Sequence, residues 1–198
     1  EAYEWSPDGK RMALVIRDPD PDKGPGPWVI DRLTFKADYV GYLNRLRSHL
    51  YVFDIDTKTV IQVTSGDFED YSPSWSPNGS TIAFTSNRTA EPDDNTNSDI
   101  WLVKPDTPHD KQALVRVTTN TGADDSPVWH PDGERFAIRT YANIYTFELD
   151  GMEPGDAFAS ASLTERIRGE IQGEAIAYGE DGAALWTLAE GQNQALWR

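Results

Sequence analysis

Cysteine is absent from the 198 residues, so the chain has no disulfide, no thiolate metal site and no cysteine nucleophile. Positive charge is scarce. Eighteen Lys and Arg stand against 33 Asp and Glu, a net charge of −15 at pH 7. Phosphate binding needs clustered Lys and Arg, so this balance argues against nucleic acid and against docking on an anionic membrane. Long apolar runs are missing too, and none reaches the roughly 18 residues that would read as a transmembrane helix. The chain opens Glu1-Ala2-Tyr3, with no Met, no basic n-region and no apolar h-region. It therefore reads as an internal piece of something longer, soluble, with the cytoplasm favoured. Apolar residues are few at 38%, but aromatics are plentiful at 11%. That combination suits aromatic-anchored β-strands and argues against disorder.

What is present is a repeat. Trp5-Ser6-Pro7-Asp8-Gly9 precedes the β-type run Met12-Ala13-Leu14-Val15-Ile16. The pattern returns as Trp75-Ser76-Pro77-Asn78-Gly79 before Ile82-Ala83-Phe84-Thr85, and as Trp129-His130-Pro131-Asp132-Gly133 before Phe136-Ala137-Ile138. A weaker fourth copy is Tyr178-Gly179-Glu180-Asp181-Gly182 before Ala184-Leu185-Trp186-Thr187. A second marker follows each: Leu50-Tyr51-Val52, Ile100-Trp101-Leu102, Ile144-Tyr145-Thr146 and Ala195-Leu196-Trp197. Between copies, Thr59 to Thr64 and Ala113 to Thr118 alternate as exposed strands do, and Ser162-Leu163-Thr164 is a degraded third. Asp-Gly and Asn-Gly tolerate positive φ and close tight turns, and Pro ends the strand before them. Each unit thus reads as four antiparallel strands, the size of a β-propeller blade.

The expectation is an all-β propeller of about four blades, over residues 1–66, 67–122, 123–170 and 171–198, the last incomplete. The aligned aromatics read as packing between blades. Residues 18–46 interrupt the first blade, first as a Pro- and Gly-dense loop, then as Trp28 to Lys36, which alternates like a strand. Trp28, Arg32, Tyr42, Arg45 and Arg47 are its candidate functional residues. The open alternative is an insertion that only covers a blade edge.

The repeat Tyr71-Ser72-Pro73-Ser74-Trp75-Ser76-Pro77-Asn78-Gly79 through Ser86-Asn87-Arg88 resembles the TolB-like propeller repeat. Arg17-Asp18-Pro19-Asp20-Pro21-Asp22, Trp28 to Leu33, Gly41-Tyr42-Leu43 and Arg47 to Val52 narrow the likeness. They resemble the N-terminal propeller of prolyl oligopeptidase-family serine peptidases, the acylaminoacyl-peptidase branch above all. The resemblance covers residues 1 to about 130. Arg139-Thr140-Tyr141 and Gln172 to Tyr178 look more like another bacterial TolB-like group. In the resembled family the propeller has about seven blades, screens the active site and restricts substrates to peptides, while a separate α/β-hydrolase domain does the chemistry.

No Gly-x-Ser-x-Gly nucleophile motif occurs. Ser6, Ser76 and Ser126 read as turn residues, and His49, His109 and His130 as structural. No catalytic, cofactor or metal residue is assigned. Glu91 to Asp99 offers oxygen ligands for calcium but breaks the EF-hand pattern at Ser98 and Lys104, so a solvated loop is the simpler reading. Acid pairs recur before Ser-Pro: Glu69-Asp70 and Asp124-Asp125. They read either as solvated turns or as a negative ring around a central channel, attracting cationic groups such as a peptide N-terminus. The functional expectation is a non-catalytic propeller portion of a prolyl oligopeptidase-type peptidase. It would gate and position peptides for a hydrolase domain not in this chain. The alternative is a stand-alone TolB-like scaffold that binds proteins. Partners would be a peptide, a hydrolase domain, or a second copy that completes a ring.

Overall fold

The computed structural model describes residues 2–19, 27, 30, 32–38, 41–43, 46–160, 163–165 and 173–189. Trp28, Arg45 and the Ala195-Leu196-Trp197 marker lie outside these. Three four-stranded sheets follow one another, all antiparallel. The first is β1 (Ala2–Trp5), β2 (Arg11–Arg17), β5 (Ser48–Asp54) and β6 (Val60–Gln62). Between β2 and β5, β3 (Lys36–Ala37) and β4 (Gly41–Tyr42) form a small separate hairpin. The second sheet is β7 (Asp70–Trp75), β8 (Ile82–Ser86), β9 (Asp99–Val103) and β10 (Val115–Arg116). The third is β11 (Asp124–Trp129), β12 (Arg135–Thr140), β13 (Ile144–Glu148) and β14 (Leu163–Glu165), with helix α1 (Pro154–Ser160) before its last strand. The fourth sheet has two strands among the described residues, β15 (Gly173–Tyr178) and β16 (Leu185–Ala189).

The turns are built alike. Ser6 Oγ accepts from Arg11 N at 2.9 Å and donates to Asp8 Oδ1 at 2.6 Å, and Gly9 N donates to Ser6 O. Ser76 does the same with Thr81 N at 3.0 Å and Asn78 Oδ1 at 2.8 Å. These serines are buried and consumed by their turns. Ser126 is different. It sits at a bulge inside β11 with φ +49°, as Ser72 does in β7 with φ +50°. It belongs to a strand, not to a repeat turn, because the chain bends there ahead of Pro127.

Strand periodicity sets the packing. Successive side chains point to opposite faces, so a sheet between two neighbours must be apolar on both. All five residues of β8 are buried. Ile82 and Phe84 join the core shared with Ala13, Val15, Leu50 and Val52 of the first sheet. Ala83 joins the core shared with Phe136 and Ile138 of the third sheet. Ala137 in turn packs with Ile176 of the fourth. The small Ala at this one place in each copy admits the bulkier pair from the next sheet. Trp75, Trp129 and Tyr178 each pack in the junction with the preceding sheet, as expected of the aligned aromatics. Trp5 has no such sheet before it among the described residues and is 50% exposed, beside Tyr3 at 67%.

Two details depart from the sequence reading. The outer strands are exposed at Val60 and Val115, but the residues that directly follow them, Val63, Thr64, Val117 and Thr118, are buried. Thr64 Oγ1 accepts from Leu50 N at 2.8 Å and Thr118 Oγ1 from Ile100 N at 3.0 Å, which pins each outer strand to the third strand of its sheet. The alternating segment ending at Lys36 is not a strand over its described residues, except at Lys36. Ile30, Leu33 and Phe35 are exposed, and backbone pairing begins only at Phe35, whose carbonyl accepts from Leu43 N at 2.8 Å.

Candidate functional site

The insertion lies against the junction of the first two sheets through arginine–carboxylate contacts. Arg32 grips Asp93 with two bonds, Nε to Oδ2 at 2.8 Å and Nη2 to Oδ1 at 2.9 Å. This paired geometry holds the guanidinium well in its charged form, above its ordinary range, with the Asp93 bond the main cause. Arg47, almost wholly buried, donates from Nε to Asp67 Oδ1 at 2.7 Å and from Nη2 to Asp93 Oδ1 at 3.3 Å. Tyr42 is exposed and stacks on Phe35 with ring centroids 6.5 Å apart. A cavity of about 520 Å³ opens here, between Ile30, Leu33, the two arginines and Glu91 to Asp94. A second of about 260 Å³ shares Arg32, Arg47 and Asp93 and reaches Glu69 and Tyr71.

Asp93 is one of the oxygen-bearing side chains of the 91–99 loop. Its carboxylate is occupied by two guanidinium groups. Asp99 is buried and held by Arg116 Nη2 at 2.8 Å. Asn95 spends its amide on Asn87, Thr89 and Glu91 within the loop. With Asp93 and Asp99 already paired to arginines, the loop keeps only Glu91 and Asp94 as carboxylates for a hard cation. Calorimetric titration with calcium should give no saturable heat at millimolar ion; a saturable heat that Asp93→Asn removes would contradict this account.

The four acids before Ser-Pro fall into two kinds. Asp70 and Asp124 are fully buried, whereas Glu69 and Asp125 are partly open to solvent. Their register differs from the apparent pairing: Asp70 lies opposite Ser86 and Asp124 opposite Thr140, so Asp70 corresponds to Asp124, and Tyr71 to Asp125. Counting back from Ser-Pro would have shown this. Asp70 accepts from Arg88 Nη2 at 2.7 and 3.0 Å and lies 3.2 Å from His49 Nδ1. The other ring nitrogen of His49 is 3.3 Å from Asp18 Oδ2, at the root of the insertion. Arg88 is wrapped by the rings of Phe68, Phe84 and Trp101 at 5.0, 5.6 and 5.8 Å. Asp124 has no such arginine. Asn120 donates to its Oδ2 at 2.7 Å, its Oδ1 has no partner, and burial raises its pKa above the usual carboxylate value. Glu69 accepts from Ser48 N at 2.8 Å, and Thr85 Oγ1 donates to Asp125 at 3.1 Å.

The remaining histidines are structural in position. His109 opens a single 3₁₀ turn. His130 takes the place of the repeat Ser: its Nδ1 accepts from Asp132 N at 3.2 Å and its Nε2 reaches Gly182 O at 2.9 Å. Among the described residues no group of three or more His, Asp or Glu is disposed to hold a metal ion. No helix among them is long and apolar enough to cross a membrane.

Solved structures share this arrangement of sheets. TolB from Acinetobacter baumannii aligns over 98% of this chain and 39% of its own, at 16% identity and TM-score 0.60. The fold is that of a TolB-like β-propeller. An oligogalacturonate lyase solved with manganese aligns over 98% of this chain and 48% of its own, at 15% identity and TM-score 0.60. A puromycin-hydrolysing peptidase of Mycobacterium tuberculosis aligns over 98% of this chain and 28% of its own, again at 15% identity and TM-score 0.60. This chain therefore spans less than half the length of each. No family model matches the sequence, and no curated protein does. One architecture thus serves proteins of unlike chemistry, and the likeness establishes fold alone.

The sequence reading found the insertion and its two described arginines. It did not connect those arginines with Asp67 and Asp93, or Asp70 with Arg88. Arg88 was readable as the last residue of the quoted repeat; Asp67 and Asp93 carried no local signal, since their partners are 20 to 61 residues away.

Proposed function

We propose that this chain is a non-catalytic propeller portion of a prolyl oligopeptidase-type serine peptidase, where it gates and positions peptides for a hydrolase domain carried elsewhere. The observation that carries the reading is the docked insertion. Arg32 and Arg47 fix it by buried and half-buried ion pairs at a sheet junction, where it walls an open cavity large enough for a few peptide residues. Its sequence is also the part that resembles those peptidases. The uncovered apolar face around Tyr3 and Trp5 fits a further blade packed before the first sheet. The acid groups Glu69 and Asp125 are the solvent-facing candidates for contact with a cationic peptide end.

The full-length product of the gene should react with a serine-directed phosphonate probe and cleave blocked short peptides. A gene product with no Gly-x-Ser-x-Gly segment and no probe labelling would favour the second reading, a TolB-like scaffold that binds proteins through its loops.

A further inference from the structure

The three sheet junctions are near-copies, and one of them is missing a part. At the first junction Arg11 crosses from its turn to the next sheet. Its guanidinium lies over the Trp75 ring at 4.9 Å, and Nη2 donates to Gly79 O at 2.9 Å. At the third junction His130 does the equivalent, meeting Tyr178 edge-on at 4.7 Å and Gly182 O at 2.9 Å, with the Arg135 guanidinium against its ring.

At the second junction both positions carry short residues. Thr81 stands where Arg11 and Arg135 stand, and Ser76 where His130 stands. The corresponding acceptor, the Gly133 carbonyl, receives no hydrogen bond among the described residues. A cavity of about 500 Å³ occupies the vacated space, with Ser76, Thr81, Trp129 and Gly133 on its walls.

We propose that this cavity is a binding site for a guanidinium group, which supplies from a ligand what Arg11 supplies in cis at the first junction. The group stacks over Trp129 and donates to Gly133 O. An aromatic face and a free carbonyl are the two contacts that a planar cation with forked donors uses together. Glu153, on the same cavity, adds a carboxylate. Lys104 is also there, bonded through Nζ to Thr81 Oγ1 at 3.1 Å, and opposes the charge of the ligand. This inference does not rest on the peptidase reading.

The test follows the Trp129 indole resonance, assigned by its loss in Trp129→Phe, while the chain is titrated with Nα-acetyl-L-arginine amide. A saturable shift of that resonance is expected, with none for the neutral citrulline analogue. Lys104→Gln should tighten binding several-fold. A blocked tripeptide centred on arginine that binds more tightly than the amide identifies a peptide as the source; equal binding identifies a free guanidinium compound. Thr81→Arg should abolish the shift and raise Tm by about 2–4 °C, by filling the seat from within. No shift with the arginine amide overturns the proposal. So does a shift with citrulline, or tighter binding of acetate that Lys104→Gln weakens, which would make the cavity an anion site. If Thr81→Arg fails to fold, the titration of the parent still decides.

Discussion

Asp70→Asn should destabilise the fold by about 3–5 kcal/mol, the range for removing one partner of a buried ion pair. Asp70 has no exposed surface and holds Arg88 with two bonds and His49 with a third contact. Arg88 cannot swing out to recover water, because three aromatic rings enclose it. The substitution therefore strands a guanidinium in the junction and loosens the tie between the first and second sheets. Urea unfolding gives the measurement. The adjacent Glu69→Gln is the control. Its carboxylate is 44% exposed and accepts only a backbone N–H at close range, so about 1 kcal/mol is expected. Replacing both partners, Asp70→Leu with Arg88→Met, should recover much of the loss. A parent-like urea midpoint for Asp70→Asn would show that the junction does not depend on this pair.

The second large effect is a dependence on pH through Glu4. Its side chain points into the first junction, and burial pushes its pKa up from 4.5 to about 7, with the backbone bond at Trp75 opposing the shift. The folded chain keeps this proton where the unfolded chain has lost it. Fewer protons bound in the unfolded state means that stability falls as pH rises. The Glu4 contribution is flat below about 4.5, declines from there to about 7, and is fully lost above. The shift corresponds to about 3 kcal/mol, an upper figure for a group that solvent reaches in part. Glu4→Gln should remove this slope and unfold later than the parent at pH 8, while matching it at pH 4.5. Comparing the two proteins across pH cancels the general repulsion of a −15 chain. Parallel stability curves would place the Glu4 carboxyl in water.

These two effects mark where sequence reading stopped. The turn chemistry was legible because it is local: Ser, Asp or Asn, and Gly within five residues close the same bonds in the first two copies, and the Gly N–H bond recurs in all four. The order of strands followed from it. Alternation was less reliable at the margins. Thr64 and Thr118 looked like the exposed half of outer strands but are spent on buried backbone N–H groups. The insertion looked like a strand, but among its described residues pairing begins only at its end, where Lys36 meets Tyr42. The acid pairs looked equivalent, yet the bulges at Ser72 and Ser126 fix a register that sets Asp70 against Asp124. What those acids do depends on Arg88, which one copy has and the next replaces by Ala142. Long-range charge pairing of that kind leaves no periodic trace in a sequence.

The proposed gate can be tested where it acts, by comparing cleavage of a blocked short peptide and of a long unfolded polypeptide by the full-length gene product, with and without residues 27–47. The intact protein is expected to cleave the short peptide and spare the long one, the deletion to let the long one in, and residues 1–198 alone to cleave neither. Cleavage by residues 1–198 alone, or the same size preference after the deletion, would contradict it.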